Sequence, residues 1–249
     1  MKTDIPINNA AARHQGGTNV GYSAHELLAR TGEDLGNYQT HIARLFANEA
    51  SRIHATKVLD FGGGTGDLAS RFQRLSGVVP KILEIDPLLR QSCEGRGFKT
   101  HASLDSVGEG LDMIYSSNVL EHIEDDAGAV RLLREKLRVG GVLVVYLPAF
   151  QRLWGPLDER VGHFRRYDRR SLRALLEKSG FSVQSCHYAD SVGFAIASLY
   201  NLLPARDGEP SSRALRIYDR FVFPPSAALD KLTRNLFGKN VVATAIRFE

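Results

Sequence analysis

The sequence predicts an α/β fold with a doubly wound, Rossmann-like, mainly parallel sheet of seven strands and helices on both faces. Short runs of Val, Ile and Leu alternate with segments whose apolar residues recur at helical spacing, a pattern typical of βαβ units. One of these runs ends in a cluster of glycines, where a strand passes into a helix. The 249 residues are 43% apolar and 24% charged, a composition that excludes a disordered chain.

The first half of the chain supplies an N-terminal segment followed by four strands. Residues 1–56 contain no strand-like run, and we expect them to form a helical cap or lid. Apolar residues at helical spacing predict a helix over 67–75, and Asp86 followed by Pro87 is typical of a helix N-cap and first turn. Four apolar runs have the length and composition of buried strands: 57–61, 81–85, 98–103 and 112–116.

The second half completes the sheet, so that 57–249 form the main domain. Leucines at helical spacing predict a helix over 129–137, which we expect Gly140 and Gly141 to end. The remaining elements are a helix near 170–179 and strands at 142–147, 181–188 and 241–248. Before the last strand, residues 191–240 are apolar and interrupted by prolines, which predicts an insertion that covers the acceptor.

The glycine cluster favours one class of ligand over another. Its sequence is Asp60-Phe61-Gly62-Gly63-Gly64-Thr65-Gly66. A dinucleotide fingerprint, G-x-G-x-x-G, would require its third glycine at position 67, which is an aspartate that would repel a pyrophosphate. The pattern that fits is D-x-G-x-G-x-G, with an acid at the strand end and bare backbone in the loop. It suits a cationic ligand without phosphate.

This loop resembles motif I of the class I S-adenosylmethionine-dependent methyltransferases. The similarity extends over about residues 57–181 and includes the acid that follows the loop, the segment 111–123 and the turn into the strand at 138–145. The resemblance implies the seven-stranded fold, S-adenosyl-L-methionine as cofactor and methyl transfer as the activity.

The resemblance also implies which residues hold the cofactor. Asp60 would bind the ammonium end of the methionine portion, above the glycines. Glu84 and Asp86 both stand where the acid for the ribose hydroxyls is expected; we favour Glu84, because Asp86 is better suited to capping the helix. Ile85 would lie against the adenine. The predicted cofactor contacts are Asp60, Gly62, Gly63, Gly64, Gly66, Glu84, Ile85, Asp86, Ser103, Leu104 and Asn118.

A second motif follows the most apolar predicted strand. Gly162-His163-Phe164-Arg165-Arg166-Tyr167, with Asp158 before it, resembles a subgroup of the family with a "D…GH.RRY" segment. An imidazole can accept a proton near neutral pH, and arginines can bind an acidic group with two hydrogen bonds. We therefore predict His163 as general base or acceptor-orienting group. The predicted acceptor-binding residues are Arg165, Arg166, Tyr167 and, from the N-terminal segment, Tyr38.

Structural alternatives exist for these acceptor-side residues. The "D…GH.RRY" segment is also typical of a loop-to-helix junction in which the His and Tyr pack and the arginines are solvated. His122 fits a packed histidine better than a catalyst. The apolar stretches 191–203 and 221–223 fit an acceptor pocket, a lid, a dimer interface or core packing.

Charge, motifs and composition limit the class of acceptor and the cellular location that we expect. The net charge of +4 comes with arginines clustered in one stretch, 160–173, whereas a nucleic-acid-binding surface would be broader. The motif typical of enzymes that methylate nucleic-acid bases is also missing after the strand at 112–116. We therefore expect a small-molecule acceptor, anionic or linked to a lipid or glycan, with O-methylation preferred, and no nucleic acid. Two cysteines and the lack of a long apolar stretch favour a cytoplasmic protein without a transmembrane segment, as a monomer or homodimer. No metal site is predicted.

Two other classes of protein stay open at this point. One is a regulatory protein that binds the cofactor without catalysis, because the sequence contains no unmistakable base. The other is a nicotinamide-dependent oxidoreductase, which the glycine pattern disfavours.

Overall fold

The structure, a computed structural model, describes residues 32–200 and 211–249. Its strands are β1 (Val58–Phe61), β2 (Lys81–Leu83), β3 (Thr100–His101), β4 (Leu111–Ser117), β5 (Leu137–Pro148), β6 (Phe181–Ala189) and β7 (Asn240–Arg247). Its α-helices are α1 (Gly36–Arg52), α2 (Asp67–Ser76), α3 (Pro87–Gly95), α4 (Asp126–Lys136), α5 (Pro156–Arg160), α6 (Arg169–Lys178), α7 (Ser191–Tyr200), α8 (Ser212–Ile217) and α9 (Phe223–Thr233).

The seven strands form one sheet in the order β3-β2-β1-β4-β5-β7-β6. All neighbouring pairs from β3 to β5 are parallel, and β7 runs antiparallel to both β5 and β6. The predicted mainly parallel, doubly wound sheet is therefore confirmed. The strand order reverses between the neighbours β1 and β4, because the chain returns from β3 at the edge to β4 in the centre. Ligands of such sheets bind at the carboxyl ends of the strands at this switch point.

Side chains that alternate along the strands fill a core on each face of the sheet. On β4, Ile114 packs on the face covered by α4 and α6, whereas Met113 and Tyr115 pack on the opposite face. There Phe46 of α1 stacks on the Tyr115 ring, with centroids 4.7 Å apart. Phe72 of α2 also packs against this ring, with centroids 4.8 Å apart. The sheet is thus buried on both faces, as a parallel sheet requires.

The predicted N-cap at the start of α3 is confirmed. The Asp86 carboxylate accepts hydrogen bonds from the backbone N–H groups of Leu88 and Leu89, and Pro87 occupies the first turn. The helix extends to Gly95, and β3 is shorter than the predicted strand at 98–103.

The expectation that Gly140 and Gly141 end a helix is wrong. α4 ends at Lys136, and the glycines lie inside β5 at a bulge, since Leu111 pairs with Leu137 but Met113 pairs with Val142. Gly140 adopts φ +76° there. A Cβ on Gly141 would lie 2.8 Å from the carbonyl oxygen of Arg138. The glycines therefore allow a tight bend within a strand.

The N-terminal and late segments meet above the carboxyl edge of the sheet. α1 begins next to a turn of π-helix at Tyr218–Val222, whose Asp219 accepts hydrogen bonds from the backbone N–H groups of Asn37 and Tyr38. Residues 1–31 and 201–210, which include parts of the predicted cap and insertion, lie outside the described residues. Among the helices that are described, none combines the length and apolar character needed to cross a membrane.

Candidate functional site

The glycine loop joins β1 to α2 in a conformation that requires glycine. Gly62, Gly64 and Gly66 have φ values of +80°, +56° and +78°. The N–H of Gly62 donates to the Leu83 carbonyl of β2 at 2.8 Å, which fixes the loop to the neighbouring strand. A Cβ on Gly62 would collide with the methyl groups of Val119, in the loop after β4. The loop thus presents backbone without side chains at the switch point.

Asp60 lies buried below this loop, at the end of β1. Its side chain is 1% exposed, and within the described part of the chain its Oδ2 has no hydrogen-bond partner. Burial, together with the nearby Glu84, raises the pKa of Asp60 to about 8. A buried carboxylate without a cationic partner fits the ammonium group that the sequence analysis assigns to it.

Glu84 faces the glycine loop from the end of β2. Its Oε2 accepts a hydrogen bond from the N–H of Gly64 at 2.9 Å, and its Oε1 accepts one from the N–H of Asp86 at 3.0 Å. Burial raises the pKa of Glu84. Asp86 instead uses its carboxylate to cap α3. Glu84 therefore lies against the glycine loop and Asp86 does not, and the choice of Glu84 as the acid for the ribose hydroxyls stays a prediction.

The other predicted cofactor contacts lie along the same edge with different exposure. Asn118 has φ +54°, and its N–H donates to the Tyr146 carbonyl at the end of β5. Ser103 is exposed, Leu104 is buried in the core, and Ile85 is partly buried against that core. The structure places the carboxyl ends of β1, β2 and β4 side by side, and all of the cofactor contacts stay predictions.

His163 is held by an internal aspartate. The distance from its Nδ1 to Asp158 Oδ1 is 2.7 Å. Arg166 binds both oxygens of Asp158, with its Nε 2.8 Å from Oδ1 and its Nη2 2.9 Å from Oδ2. Although burial opposes the shift, the hydrogen bonds from His163 and Arg166 lower the pKa of Asp158 to about 2. The imidazole is therefore fixed in orientation, with Nε2 turned away from Asp158.

The Nε2 side of His163 faces two residues from the loop after β4. Glu121 Oε1 lies 3.9 Å from His163 Nε2, and the His122 ring meets the His163 ring edge-on with centroids 4.5 Å apart. The N–H of Phe164 donates to the Glu121 carbonyl, which joins the two loops. Neither Glu121 nor Asp158 had a predicted role. The "D…GH.RRY" pattern, which includes Asp158, was the only sequence signal for either residue.

The predicted acceptor-binding residues are engaged with internal partners. Arg165 Nη1 lies 2.8 Å from Asp126 Oδ2, and the Tyr167 hydroxyl donates to the same oxygen. Tyr38 is buried, and its hydroxyl accepts a hydrogen bond from Asn240 at 3.0 Å. The arginines are thus more than solvated side chains, and a role for these residues in acceptor binding stays a prediction.

The late segment adds a buried polar network at the same edge, which the sequence analysis did not identify. Asp190, directly after β6, has φ +61° and accepts hydrogen bonds from the hydroxyls of Tyr218 and Ser226. Of the apolar residues in this segment, Phe223 is buried against Tyr38, whereas Phe221 is exposed. The late segment is therefore in part core and in part surface.

Comparisons with known proteins agree with this fold. Residues 30–185 match a family model described as a methyltransferase domain. The fold is similar to that of the Haloferax volcanii protein solved in complex with the Trm112 methyltransferase activator (14% identity, TM-score 0.60, covering 93% of this chain and 100% of that one). It is also similar to an S-adenosylmethionine-dependent methyltransferase from Archaeoglobus fulgidus (20% identity, TM-score 0.52, covering 82% and 94%).

A further similar structure contains the cofactor. It is the magnesium protoporphyrin IX methyltransferase of Synechocystis with bound S-adenosylmethionine (14% identity, TM-score 0.51, covering 96% of this chain and 89% of that one). No curated protein sequence matches the chain.

Proposed function

The chain belongs to the methyltransferase family whose domain model it matches, and from this premise we propose that it methylates the hydroxyl oxygen of a small, acidic acceptor, free or linked to a lipid or glycan. The chain is an S-adenosylmethionine-dependent methyltransferase, and S-adenosylmethionine is its cofactor. We propose the class of acceptor, its hydroxyl oxygen as the methylated atom and the roles of the residues.

The residues at the switch point fit the cofactor. The unpaired oxygen of Asp60 suits an ammonium group, the positive φ values of the glycine loop leave room for a ligand, and Glu84 suits two hydroxyls. When bound, S-adenosylmethionine supplies a methyl carbon that an acceptor oxygen attacks, while the electrons of the broken C–S bond stay on sulfur.

The observation that carries the proposal is the Asp158–His163 pair beside the loop after β4. A hydroxyl nucleophile must lose its proton, and a histidine oriented by a carboxylate can accept it or hold the hydroxyl in place. Asp158 is itself fixed by Arg166 and by the N–H of Gly155, so the orientation of the imidazole is set before an acceptor arrives.

The preference for an acidic acceptor is supported by a basic groove near this edge. Arg169, Arg170 and Arg173 line an open surface groove of about 470 Å³, together with Asp168 and Tyr188. Arg169 also donates to the Asn235 carbonyl and Arg173 to Glu177 on the helix surface. Arg165 and Arg166 already bind internal carboxylates, so each could bind an acidic acceptor only by sharing its guanidinium between the two groups. The groove is thus the more accessible of the two basic regions.

His163→Ala tests the proposal. Release of the demethylated cofactor is measured with a panel of hydroxyl-bearing carboxylates and phosphates, and cofactor affinity is measured by calorimetry. We expect a loss in kcat of at least ~100-fold, as for removal of a positioned acid–base group, with an unchanged cofactor Kd. The exposed His54→Gln variant is the matched control.

Two outcomes would contradict the proposal. Full turnover by His163→Ala would remove the role of this histidine. No release of demethylated cofactor with any acceptor, despite cofactor binding, would favour a regulatory protein.

A further inference from the structure

Glu121, His122 and His163 form a cluster that the sequence analysis did not predict. Each residue offers one potential ligand atom, and these three atoms lie within 4.8 Å of one another. Ligand atoms about 2.0–2.2 Å from a common ion lie about 3.3–3.6 Å apart in tetrahedral geometry. The separation of 3.9 Å between Glu121 Oε1 and His163 Nε2 is close to this range. Small side-chain movements would therefore bring all three atoms onto one ion.

Glu121 is the strongest indication that something binds there. Its side chain is fully buried, and none of residues 32–200 and 211–249 donates a hydrogen bond to either carboxylate oxygen. The guanidinium of Arg166, whose charge acts on Glu121, is used by Asp158 and by the Ala149 carbonyl. A buried carboxylate is normally paired, hydrogen-bonded or bound to a metal, and the contact of Glu121 with His163 Nε2, at 3.9 Å, is too long for a hydrogen bond.

Both histidines are oriented as metal-binding histidines are. His163 directs Nδ1 to the Asp158 carboxylate, which leaves Nε2 facing Glu121. The His122 ring lies edge-on to that of His163, near the backbone of Val161, and one of its nitrogens belongs to the cluster. Metal-ligating histidines almost always donate their second N–H to a carboxylate or a backbone carbonyl. The outer partners of such a site are thus already in place.

From these observations we propose that Glu121, His122 and His163 bind a divalent first-row transition-metal ion. Two imidazoles and one carboxylate suit Zn²⁺ and its neighbours in the row better than Mg²⁺ or Ca²⁺, which prefer oxygen ligands alone. Three protein ligands leave coordination positions open, as in catalytic rather than structural sites.

The location of the site gives the ion a role, and this part rests on the proposed function. Glu121 and His122 follow β4 in the same loop as Val119, which contacts the glycine loop at Gly62. An ion at this point lies between the cofactor loop and the "D…GH.RRY" segment. It would hold an acceptor hydroxyl and polarise its O–H bond, so that His163 acts as a ligand and orients the acceptor through the ion.

The test uses untagged, full-length protein that has been stripped with a chelator and then reloaded with Zn²⁺ or Co²⁺. We expect one ion per chain by elemental analysis and a visible Co²⁺ absorption spectrum. Glu121→Gln should weaken Zn²⁺ binding at least tenfold and abolish the Co²⁺ spectrum. Glu124→Gln, an exposed acid in the same loop, is the matched control and should bind like the wild type.

Folding is followed separately. Glu121→Gln keeps the size and shape of a fully buried side chain and replaces its acid with a neutral amide, so its metal-free form should melt no lower than wild type. Zn²⁺ should raise the Tm of wild type but not that of the variant.

Failure of the site and failure of the proposed function give different results. A wild type that retains no stoichiometric ion, or equal binding by Glu121→Gln and wild type, would overturn the metal site. A stoichiometric ion with equal turnover in stripped and loaded enzyme would overturn only its role with the acceptor. No turnover in either form would contradict the proposed acceptor, while the ion stoichiometry would still decide the site.

Discussion

Asp60 is a buried acid whose surroundings are mostly acidic. The ionisable groups that face it are Glu84 from the end of β2, Tyr115 from β4 and Cys93 from α3. Its pKa of about 8 in the folded chain lies above the ordinary value of 3.8, so between these values the folded chain holds more protons than the unfolded chain. The contribution of Asp60 to stability is therefore full at low pH and lost as the pH rises toward 8.

Asp60→Asn should remove this pH dependence. Without cofactor, the Tm of wild type should fall relative to that of the variant as the pH is raised from about 5 to about 8, because only the wild type must ionise a buried acid. The variant should also bind S-adenosylmethionine at least ~10-fold more weakly, since a charge-assisted hydrogen bond is lost. Thermal unfolding and calorimetry measure the two effects. A constant Tm difference across this range would contradict the first expectation.

Glu84→Ala and Asp86→Ala should separate cofactor binding from helix capping. We expect Glu84→Ala to raise the Kd for S-adenosylmethionine at least ~10-fold, because two hydroxyl partners are lost. Asp86→Ala should leave the Kd nearly unchanged and lower the free energy of unfolding by about 1 kcal/mol, because α3 loses its cap. Calorimetry and chemical denaturation measure the two effects. Equal cofactor affinity of Glu84→Ala and wild type would assign the ribose to another residue.

Among the elements, α1 depends on a residue far away in the sequence. Its own N-cap, Leu35, makes no side-chain hydrogen bond to the helix. The two oxygens of Asp219 accept from the first N–H groups of α1 instead, at 2.9 Å from Asn37 and 2.8 Å from Tyr38. The late segment thus supplies the cap of the N-terminal helix.

Asp219→Ala should lower the free energy of unfolding by about 1–2 kcal/mol, because two backbone donors at a buried helix end lose their acceptor. Chemical denaturation measures the change. Glu109→Ala, which replaces an exposed acid in a loop, is the control and should be close to neutral. A neutral effect of Asp219→Ala would show that water replaces the carboxylate at this helix end.

The sequence predicted the elements well wherever periodicity and turn chemistry act locally. The strand-to-helix glycine loop and the Asp86 cap are set by neighbouring residues, and both are confirmed. The role of Gly140 and Gly141 was misread, because a glycine pair at a helix end and one at a strand bulge look alike until the pairing of Leu111 with Leu137 is known. A bulge depends on how the strand pairs with its partner strand, and the residues around the glycines do not show this pairing.

Residues of the candidate site could be proposed from the sequence where they are close together in the chain, and could not where they come from distant segments. The cofactor half consists of short-range features around β1 and β2, so its residues could be named from the motif. The cluster of Glu121 with His163 joins loops after β4 and β5, and the Asp190 network joins β6 to the late segment. Such contacts between distant segments follow from the fold, and they carry no local pattern.

At the scale of the whole molecule, β7 connects parts of the sheet that otherwise do not touch. It lies between β5 and β6 and pairs with both along most of its length. β5 and β6 make no direct pairing in the sheet order. The integrity of this half of the sheet therefore depends on the segment Asn240–Arg247.

Removing residues 239–249 should abolish cooperative unfolding and cause association, because two apolar strands lose their partner and expose unpaired edges. Removing only residues 248–249 keeps every β7 pairing and is the matched control. Thermal unfolding by circular dichroism and size-exclusion chromatography provide the measurements. A cooperative transition of the larger truncation at the wild-type Tm would show that the sheet is stable without β7.

The contact between Val119 and Gly62 limits how this enzyme can be redesigned. The methyl groups of Val119 occupy the space that a side chain at position 62 would need. Residues just beyond Val119 are an obvious target for altering which acceptor is methylated. A library that also enlarges position 119 would displace the glycine loop at Gly62, and the resulting loss of activity would be mistaken for a change of selectivity. Mutagenesis for new acceptors should therefore keep valine at this position.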